Sequence, residues 1–385
     1  MKQHREIFEQ TSYLKEKLEI LKKLKKEQMD KPMDKRDSRL LNFIWKEQSV
    51  YSYALKQIAW FTNDPLLESE TEPVEHDFHK ALPPPVHHKK NINLITWGGL
   101  GDALLATPAL KALKETYPHS VVTVYHQRWH RDILLNNPYI DKLREASFWK
   151  YPLAWLAFKL GIRTLESLNY SYTLPKEPGA TKMSDVIAEG LGLTLTDTQV
   201  QLFLTEREDS EGKEAIASFK KPIAVCPSTV SFKNKQWILE RWEDLIKAMP
   251  SYSFVQLGGK NDPLLKGAID FRGQPVRKSV AILKHTLCYV GVDSFLGHAA
   301  AAVNVPGVVL FGPSPFHMFA QASNTNVIRR TSCSPCSGLI NQSQCPYNHE
   351  CMRKIQVNDV KKEILKKMET CKLTCELSFA ISETF

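Results

Sequence analysis

The stretch NINLITWGGLGDALLATPALKALK, residues 91–114, decides the fold class of this chain. Its apolar residues between 92 and 95 predict a short buried strand, a glycine turn follows, and Ala103–Tyr117 predicts a helix. A second apolar strand, Val121–Tyr125, comes next. Strand, helix and strand within about 35 residues form a βαβ unit, which indicates a parallel sheet covered by helices.

A second series of strands and helices begins near Lys220. Its predicted strands are Ile223–Cys226, Phe254–Leu257, Leu287–Val292 and Val308–Phe311. The remaining predicted helices are Trp149–Leu168, Asp185–Leu193, Leu239–Met249, Ser279–Lys284 and Ser294–Ala302. The two series predict an α/β protein with two Rossmann-like domains, residues 91–219 and 220–370, and a cleft between them. Ligands of open α/β sheets bind beyond the carboxyl ends of the strands, so the loops there should carry the chemistry.

The residues outside these domains predict a helical N-terminal extension, a linker and a tail. Residues 1–62 are highly charged at first and then aromatic, and residues 63–90 form a linker rich in proline and histidine. Residues 371–385 are the tail. The charged helix has two interpretations, packing on the body or a second copy of the chain, and lying on an anionic membrane surface.

Composition excludes several classes of protein. Of the 385 residues, 43% are hydrophobic and 24% are charged, as in ordinary globular proteins. No apolar run approaches the ~20 residues of a membrane span, and the N-terminus lacks the apolar segment of a secretory signal, so we expect a cytoplasmic protein. The net charge of +9 suits a phosphate-bearing ligand or an anionic lipid surface. No recognised nucleic-acid motif is present, so nucleic acid is not an expected partner.

The glycine turn of the first domain contains Gly98, Gly99 and Gly101. It does not fit a dinucleotide site, because Leu104 occupies the third glycine position and the next strand ends without an acid for a ribose hydroxyl. Asp102 follows the turn at a helix N-terminus, where its charge repels phosphate. The helix dipole favours the ionised carboxylate, which suits a general base. The alternative is that Asp102 only caps the helix.

Polar side chains also follow four strands of the second domain. In chain order they are Ser228 and Thr229 with Lys233 and Lys235, Asp262 after Gly258 and Gly259, Asp293 and Ser294 with His298 one turn on, and Ser314. Hydroxyls and a lysine suit phosphate oxygens, and a carboxylate suits ribose hydroxyls. Because parallel strands end at one edge of their sheet, we expect these groups to form a single site.

The motif Gly98-Gly99-x-Gly101-Asp102-x4-Thr107-Pro108-x2-Lys111 resembles the N-terminal signature of glycosyltransferase family 9, the lipopolysaccharide heptosyltransferase-like enzymes. The second domain continues the resemblance in order, with Lys235-x-Trp237, Gly258-Gly259, Asp293-Ser294-x3-His298 and Phe311-Gly312-Pro313. The resemblance implies a GT-B fold, inversion at the anomeric carbon, no catalytic cofactor or metal, and a nucleotide-sugar donor, usually ADP-heptose. Phe295 stands where the family has a glycine.

By this resemblance Asp102 deprotonates the acceptor hydroxyl and Lys235 neutralises the diphosphate leaving group. The implied donor-binding residues are Ser228 and Thr229 for phosphate, Asp262 for ribose, Asp293 for the sugar, and Ser294 and His298 near the phosphates. The expected acceptor is a lipopolysaccharide or lipooligosaccharide core at the cytoplasmic face of the inner membrane. A basic face of the first domain could meet this anionic acceptor, or simply be solvated; it comprises Lys111, Lys114, Arg128, Arg131 and Arg144.

Three alternative functions stay open. One is a glycosyltransferase or heptosyltransferase that modifies a protein side chain, and another is a nucleotide-sugar 2-epimerase, which needs no acceptor. The third is a non-catalytic protein that binds a nucleotide sugar or takes part in assembly.

Four cysteines lie close together between residues 333 and 351, namely Cys333, Cys336, Cys345 and Cys351. A Cys-x2-Cys pair followed by two more cysteines suits tetrahedral coordination of zinc or iron. The alternative is a set of reduced thiols in a surface loop. We expect any metal here to be structural, since similar segments occur in some members of the family that the motifs resemble.

Overall fold

A computed structural model gives the positions of most residues of the two predicted domains. The residues described are 91–96, 98–146, 166–168, 182–230, 233–331, 333–335, 345 and 347–382, with single residues and short groups between 15 and 30. The predicted extension and linker, residues 1–90, therefore lie outside the described part except for those few residues, which are mostly helical between 15 and 27. None of the described helices is long and apolar enough to cross a membrane.

The first domain is built on a parallel sheet with the strand order β3-β2-β1-β4. Its strands are β1 (Asn91–Thr96), β2 (Val121–His126), β3 (Lys142–Glu145) and β4 (Glu166–Ser167). The helices are α1 (Leu100–Leu105), α2 (Thr107–Thr116), α3 (Arg131–Leu134) and α4 (Met183–Gly190). Leu94 of β1 pairs with Val124 of β2 on one side and Glu166 of β4 on the other. Apolar side chains of β1, β2, α2 and α4 form its core.

The helix predicted over Ala103–Tyr117 is two helices, α1 and α2, that meet at Ala106. Pro108 has no N–H to donate into the turn before it, and Thr107 Oγ1 donates a 2.7 Å hydrogen bond to the carbonyl of Leu104. The Thr107 hydroxyl also accepts from the backbone N–H of Gln201 at 2.9 Å. A proline and a buried threonine therefore break the helix and anchor the chain that leaves the first domain.

The second domain is a six-stranded parallel sheet with the order β10-β9-β8-β5-β6-β7. Its strands are β5 (Pro222–Cys226), β6 (Ser253–Gln256), β7 (Ile269–Asp270), β8 (Cys288–Val292), β9 (Gly307–Phe311) and β10 (Asn324–Ile328). Its helices are α5 (Glu206–Ile216), α6 (Leu239–Lys247), α7 (Val276–Lys284), α8 (Phe295–Ala302), α9 (Phe316–Phe319), α10 (Glu350–Arg353) and α11 (Val357–Ser382). Helix α11 continues into the predicted tail.

Two predictions of local structure need correction. The helix predicted over Trp149–Leu168 is wrong at its end, because Glu166–Ser167 form β4; the residues before Glu166 lie outside the described part. The strands β3, β4, β7 and β10 and the helices α3, α5, α9, α10 and α11 were not predicted. The β3 sequence KLRE is mostly polar, and this edge strand exists because it pairs with β2 in register, Val124 opposite Leu143.

Helix α5 precedes the second sheet in the chain and packs against α7. A Cβ atom on Gly212 of α5 would lie 2.4 Å from the backbone carbon of Ala281, so only glycine allows this close approach. Leu202 and Ile216 join the apolar core of the second domain, together with Val280 of α7. The described strands of the first sheet end at Ser167 and those of the second begin at Pro222, and α5 lies between them in the chain.

Arg277 of α7 connects both domains. Its guanidinium donates to the backbone carbonyls of Asp132, in the first domain, and Phe203, at 2.8 and 2.6 Å. It also donates two hydrogen bonds, of 2.5 and 2.7 Å, to the carboxylate of Glu208. These hydrogen bonds lower the pKa of Glu208 to about 2. Arg277 thereby holds the second domain against α3 of the first.

Candidate active site

Asp102 is the third residue of α1, directly after the glycine turn. Its Oδ2 atom accepts a 2.6 Å hydrogen bond from the backbone N–H of Gly99. Gly98 has φ +96°, which L side chains rarely adopt, so glycine is required there. Among the described residues no donor binds Oδ1, so one carboxylate oxygen caps the helix and the other is left for a ligand. The two interpretations of Asp102, cap and base, are therefore compatible in geometry.

The turn Arg128–His130 holds the glycine turn from the other side. The indole N–H of Trp129 and Nε2 of His130 both donate to the carbonyl of Gly98, each at 3.0 Å. The Trp129 side chain remains largely exposed, whereas His130 is fully buried. Burial lowers the pKa of His130, and the carbonyls of Gly98 and Gly99 and the charge of Asp102 oppose this only in part.

Lys235 and Asp293 form a buried ion pair in the second domain. Lys235 Nζ lies 2.7 Å from Asp293 Oδ2, and the two side chains are 15% and 6% exposed. Burial alone raises the pKa of Asp293, but Lys235, His298 and Ser314 outweigh it, so the pKa is lowered and the carboxylate is ionised. The residues are 58 apart in the chain and meet because β5 and β8 are neighbours in the sheet. The pair supplies a fixed cation and anion at the carboxyl ends of these strands.

His298 lies one turn into α8 and is buried. Gln321 Nε2 donates to His298 Nδ1 at 3.0 Å, so Nδ1 is an acceptor and the ring proton of the neutral form is on Nε2. Burial lowers the pKa of His298; the negative charges of Asp293 and Asp102 raise it and Lys235 lowers it, with a net lowering. His298 is thus a neutral donor through Nε2.

The two domains approach each other where α1 meets the N-terminus of α8. A Cβ atom on Gly101 would lie 3.3 Å from Cδ2 of His298, 3.8 Å from its Nε2 and 3.9 Å from Cα of Phe295. Without that Cβ atom, the His298 ring packs directly against α1, and Asp102 is the next residue. The base predicted in the first domain and the polar cluster of the second therefore face one another.

A small cavity of about 10 Å³, roughly the space of one water molecule, opens beside this contact. Its polar lining residues are Asp293, Ser294, His298, Gln321 and Asn324. The cavity is far smaller than the roughly 300–1,000 Å³ of typical ligand pockets, so most of a nucleotide sugar would lie outside it, over the neighbouring loops.

The other predicted donor-binding residues lie further along the same sheet edge. Ser228 is buried and Thr229 half-buried after β5, while Asp262 lies in the loop after β6. Asp262 accepts the N–H of Gly259 at 2.9 Å, and its backbone carbonyl accepts from Arg272. The strand order β8-β5-β6 places these loops side by side, next to the loop of Asp293. A ligand longer than the cavity would cross them in that order.

Several functional contacts had no signal in the sequence. Gln321, Trp129 and His130 belong to no motif, and only the fold brings them to the site. Two lysines of the predicted basic face form ion pairs within the protein. Lys111 pairs with Asp197 at 3.2 Å and Lys114 with Asp141 at 2.6 Å. Two of its arginines, Arg128 and Arg131, are exposed beside the glycine turn, and Arg144 is exposed on β3.

Three of the four clustered cysteines are described, and all three are free thiols. Burial raises the pKa of Cys333 and raises that of Cys351 to about 12, and each is raised further by a neighbouring cysteine. Thiolates are the form that binds metal, and a bound metal ion would itself lower these pKa values. Within the described residues no three His, Cys, Asp or Glu side chains are arranged to hold a metal ion. Cys336 lies outside the described part, and a structural metal stays a prediction.

Comparisons with known proteins agree with this architecture. The family model for glycosyltransferase family 9 (heptosyltransferase) matches residues 276–346, which include Asp293, His298 and Gln321. A search of curated proteins returned no match.

Among solved structures, the chain is similar to the ADP-heptose lipopolysaccharide heptosyltransferase II of E. coli, with 17% identity, a TM-score of 0.59, and coverage of 73% of this chain and 99% of that one. It is also similar to a family 9 glycosyltransferase from Veillonella parvula, with 18% identity, a TM-score of 0.58, and coverage of 74% and 100%. A third similar structure is TibC, an iron-containing dodecameric glycosyltransferase of enterotoxigenic E. coli, with 18% identity, a TM-score of 0.55, and coverage of 74% and 78%. TibC has also been solved with ADP-D-β-D-heptose.

The two facing α/β domains have the GT-B fold, as predicted, and the protein is a glycosyltransferase. The resemblance to glycosyltransferase family 9 that the motifs predicted is confirmed.

Proposed function

We propose that the protein is an inverting heptosyltransferase that transfers heptose from ADP-heptose to the core of a lipopolysaccharide or lipooligosaccharide. The observation that carries the proposal is the contact between α1 and α8. It brings Gly101, the residue before Asp102, against His298 of the second domain, and the charges of Asp102, Asp293 and Lys235 all act on His298. The choice of donor is supported by the similar E. coli and TibC structures, whose names specify ADP-heptose as donor or ligand.

In the proposed reaction Asp102 accepts the proton of an acceptor hydroxyl through Oδ1. The hydroxyl oxygen attacks the anomeric carbon of the donor sugar, and the bond from that carbon to the diphosphate oxygen breaks. The electron pair leaves with the nucleoside diphosphate, whose charge Lys235 and the Nε2–H of His298 neutralise. Attack from the side of Asp102 and departure toward Lys235 invert the configuration. Closure of the two walls keeps water from hydrolysing the donor.

Asp293 has two roles in this proposal. Its ionised carboxylate holds the Lys235 ammonium in place before the donor arrives. It also lies at the small cavity with Ser294, and we expect hydroxyls of a sugar bound over this edge of the sheet to donate to it. Ser228, Thr229 and Asp262 would bind the phosphates and ribose along the same sheet edge. A structural metal at Cys333, Cys336, Cys345 and Cys351 would have no part in the chemistry.

We further propose that transfer takes place at the cytoplasmic face of the inner membrane, with the protein in peripheral contact with that surface. The net charge of +9 and the exposed Arg128 and Arg131 beside the glycine turn suit an acceptor that carries phosphate groups.

The test is a transfer assay with ADP-heptose and a heptose-deficient lipooligosaccharide. ADP release and the mass of the glycolipid are measured for the wild type and Asp102→Asn, with ADP-heptose binding measured by calorimetry. We expect Asp102→Asn to bind the donor with the wild-type Kd and to lose transfer by roughly 100-fold or more, the usual contribution of a general base.

The matched control is Asp185→Asn. Asp185 is also the third residue of a first-domain helix, but that helix is α4 and not α1, so we expect full transfer. Wild-type transfer by Asp102→Asn would contradict the proposal. A heptosylated protein in place of the glycolipid would change the acceptor class, and consumption of donor without any acceptor would favour an epimerase.

A further inference from the structure

The peptide group between Gly98 and Gly99 is bonded on both sides. Its carbonyl oxygen accepts from Trp129 Nε1 and His130 Nε2, each at 3.0 Å. Its N–H, which belongs to Gly99, donates to Asp102 Oδ2 at 2.6 Å. One planar group therefore links the turn Arg128–His130 to the carboxylate that we assign as the base.

We propose that Trp129 and His130 are positioning residues that orient and support Asp102 through the Gly98–Gly99 peptide. The inference rests on the proposed function, because it takes Asp102 as the general base. It adds two residues that belong to no sequence motif and do not line the cavity.

The Gly98–Gly99 peptide group is planar, and this links the two sets of hydrogen bonds. A trans peptide holds its C=O and N–H antiparallel in one plane, so fixing the oxygen also fixes the direction of the N–H. A peptide flanked by two glycines rotates more freely than any other. Two donors on the Gly98 oxygen remove that freedom. The N–H then points at Asp102 Oδ2 and holds that oxygen, which leaves Oδ1 for a ligand.

The hydrogen bonds on the two sides of this peptide group also polarise one another. A carbonyl that accepts two hydrogen bonds makes the N–H of the same peptide a stronger donor, because bonded groups polarise one another. The 2.6 Å contact to Asp102 is at the short end for an N–H donor and is typical of a bond to an ionised acceptor. Trp129 and His130 thus stabilise the charged carboxylate without touching it.

The environment of His130 fits this role. The imidazole is fully buried, and Nδ1 has no hydrogen-bond partner among the described residues. A leucine would fill the site without burying an unpaired nitrogen, so the ring is explained by the bond that Nε2 makes. Burial keeps His130 neutral by lowering its pKa, which leaves it a single proton to donate.

Other charged groups on the elements that pack on α1 contribute to the field at Asp102. They are His298 of α8, Arg128 of the turn, Arg131 and Asp132 of α3, and Lys111, Lys114 and Glu115 of α2. All of these groups are unchanged in the variants below, so differences between the variants report on the Trp129 and His130 N–H groups.

The experiment compares Trp129→Phe, His130→Phe, His130→Gln and the double variant Trp129→Phe/His130→Phe in the transfer assay. Phenylalanine keeps a ring and removes the donor, and glutamine replaces Nε2 with an amide N–H of similar reach. Trp129 is 54% exposed, so Trp129→Phe does not disturb the core even if His130→Phe fails to fold. Each variant is measured for kcat and for the Kd of ADP-heptose.

We expect kcat to fall in both phenylalanine variants, and by up to roughly 100-fold in the double variant, the cost of misplacing a reacting group by about 1 Å. The Kd of ADP-heptose should not change, and His130→Gln should restore most of kcat.

Wild-type kcat in Trp129→Phe and the double variant overturns the inference, as does a His130→Gln variant no better than His130→Phe. Asp102→Asn in the same assay distinguishes a failure of the proposed function from a failure of the positioning role. If Asp102→Asn transfers normally, the proposed function fails. If Asp102→Asn is inactive while the Trp129 and His130 variants transfer normally, only the positioning role fails.

Discussion

Replacing Glu208 with glutamine removes the negative charge that Arg277 holds at the junction of the two domains. The change keeps the size of the side chain and one hydrogen-bond acceptor, so it tests charge rather than packing. Arg277 is 8% exposed and Glu208 26%, which places the pair away from bulk solvent.

The size of the effect follows from the pKa of Glu208. Hydrogen bonds from Arg277, the largest cause, and from Thr205 outweigh the effect of burial and lower the pKa from 4.5 to about 2. One pKa unit corresponds to about 1.4 kcal/mol, so the folded state gains about 3 kcal/mol from the ionised carboxylate at neutral pH. Because the folded pKa is the lower one, this gain is complete above the unfolded pKa near 4.5 and is lost as the pH falls toward about 2.

The assay is urea unfolding of the full chain at pH 7 and pH 3, followed by circular dichroism and tryptophan fluorescence. We expect Glu208→Gln to lower the free energy of unfolding by about 3 kcal/mol at pH 7 and by clearly less at pH 3. The matched control is Glu211→Gln on the same helix, whose partner Arg207 is exposed; it should unfold like the wild type. Wild-type stability of Glu208→Gln at pH 7, or an equal deficit at both pH values, would refute the reasoning.

Three other substitutions test the site and its support. Gly101→Ala places a Cβ atom 3.3 Å from His298 and should lower kcat by forcing α1 away from α8, while the fold measured by circular dichroism is kept. Gln321→Leu removes the donor to His298 Nδ1 and should weaken ADP-heptose binding by up to about tenfold in calorimetry, as expected for one hydrogen bond. Gly212→Ala brings a Cβ atom within 2.4 Å of the Ala281 backbone and should destabilise the protein by about 1–3 kcal/mol in urea unfolding. Unchanged values in these three measurements would show that the contacts are looser than described.

The central strands could be predicted from the sequence to within a residue or two. Pro222–Cys226 and Gly307–Phe311 are short apolar runs bounded by turns, and burial on both faces of a parallel sheet demands that pattern. Edge strands are less buried, so their sequences need not be apolar. The polar strand Lys142–Glu145 becomes a strand only through its partner β2, and that long-range pairing leaves no local signal.

The candidate site divides in the same way. Asp102 could be found because it follows a glycine turn, and the turn itself requires glycine, as the positive φ of Gly98 shows. Asp293 and Lys235 could be found as polar residues after strands, but their ion pair depends on the strand order. Gln321 was missed because a glutamine after a short helix has no pattern of its own.

The sequence did not show which basic residues are already paired with acidic ones. Lys111 belongs to the motif that resembles family 9, and net charge alone makes it a candidate for an anionic acceptor. In the structure it bonds Asp197, and this bond raises the pKa of Lys111. Composition counts charges but does not show which of them are already neutralised by partners distant in the chain.

The most direct test of the central claim is a calorimetric titration of the full chain with ADP-heptose, and with UDP- and GDP-sugars, for the wild type and Lys235→Met. Lys247→Met, which changes an exposed lysine in the last turn of α6, is the control. The account predicts binding of ADP-heptose by the wild type and the control, its loss in Lys235→Met, and no binding of the other donors. Equal binding of ADP-heptose by Lys235→Met, or preference for another nucleotide, would contradict the account.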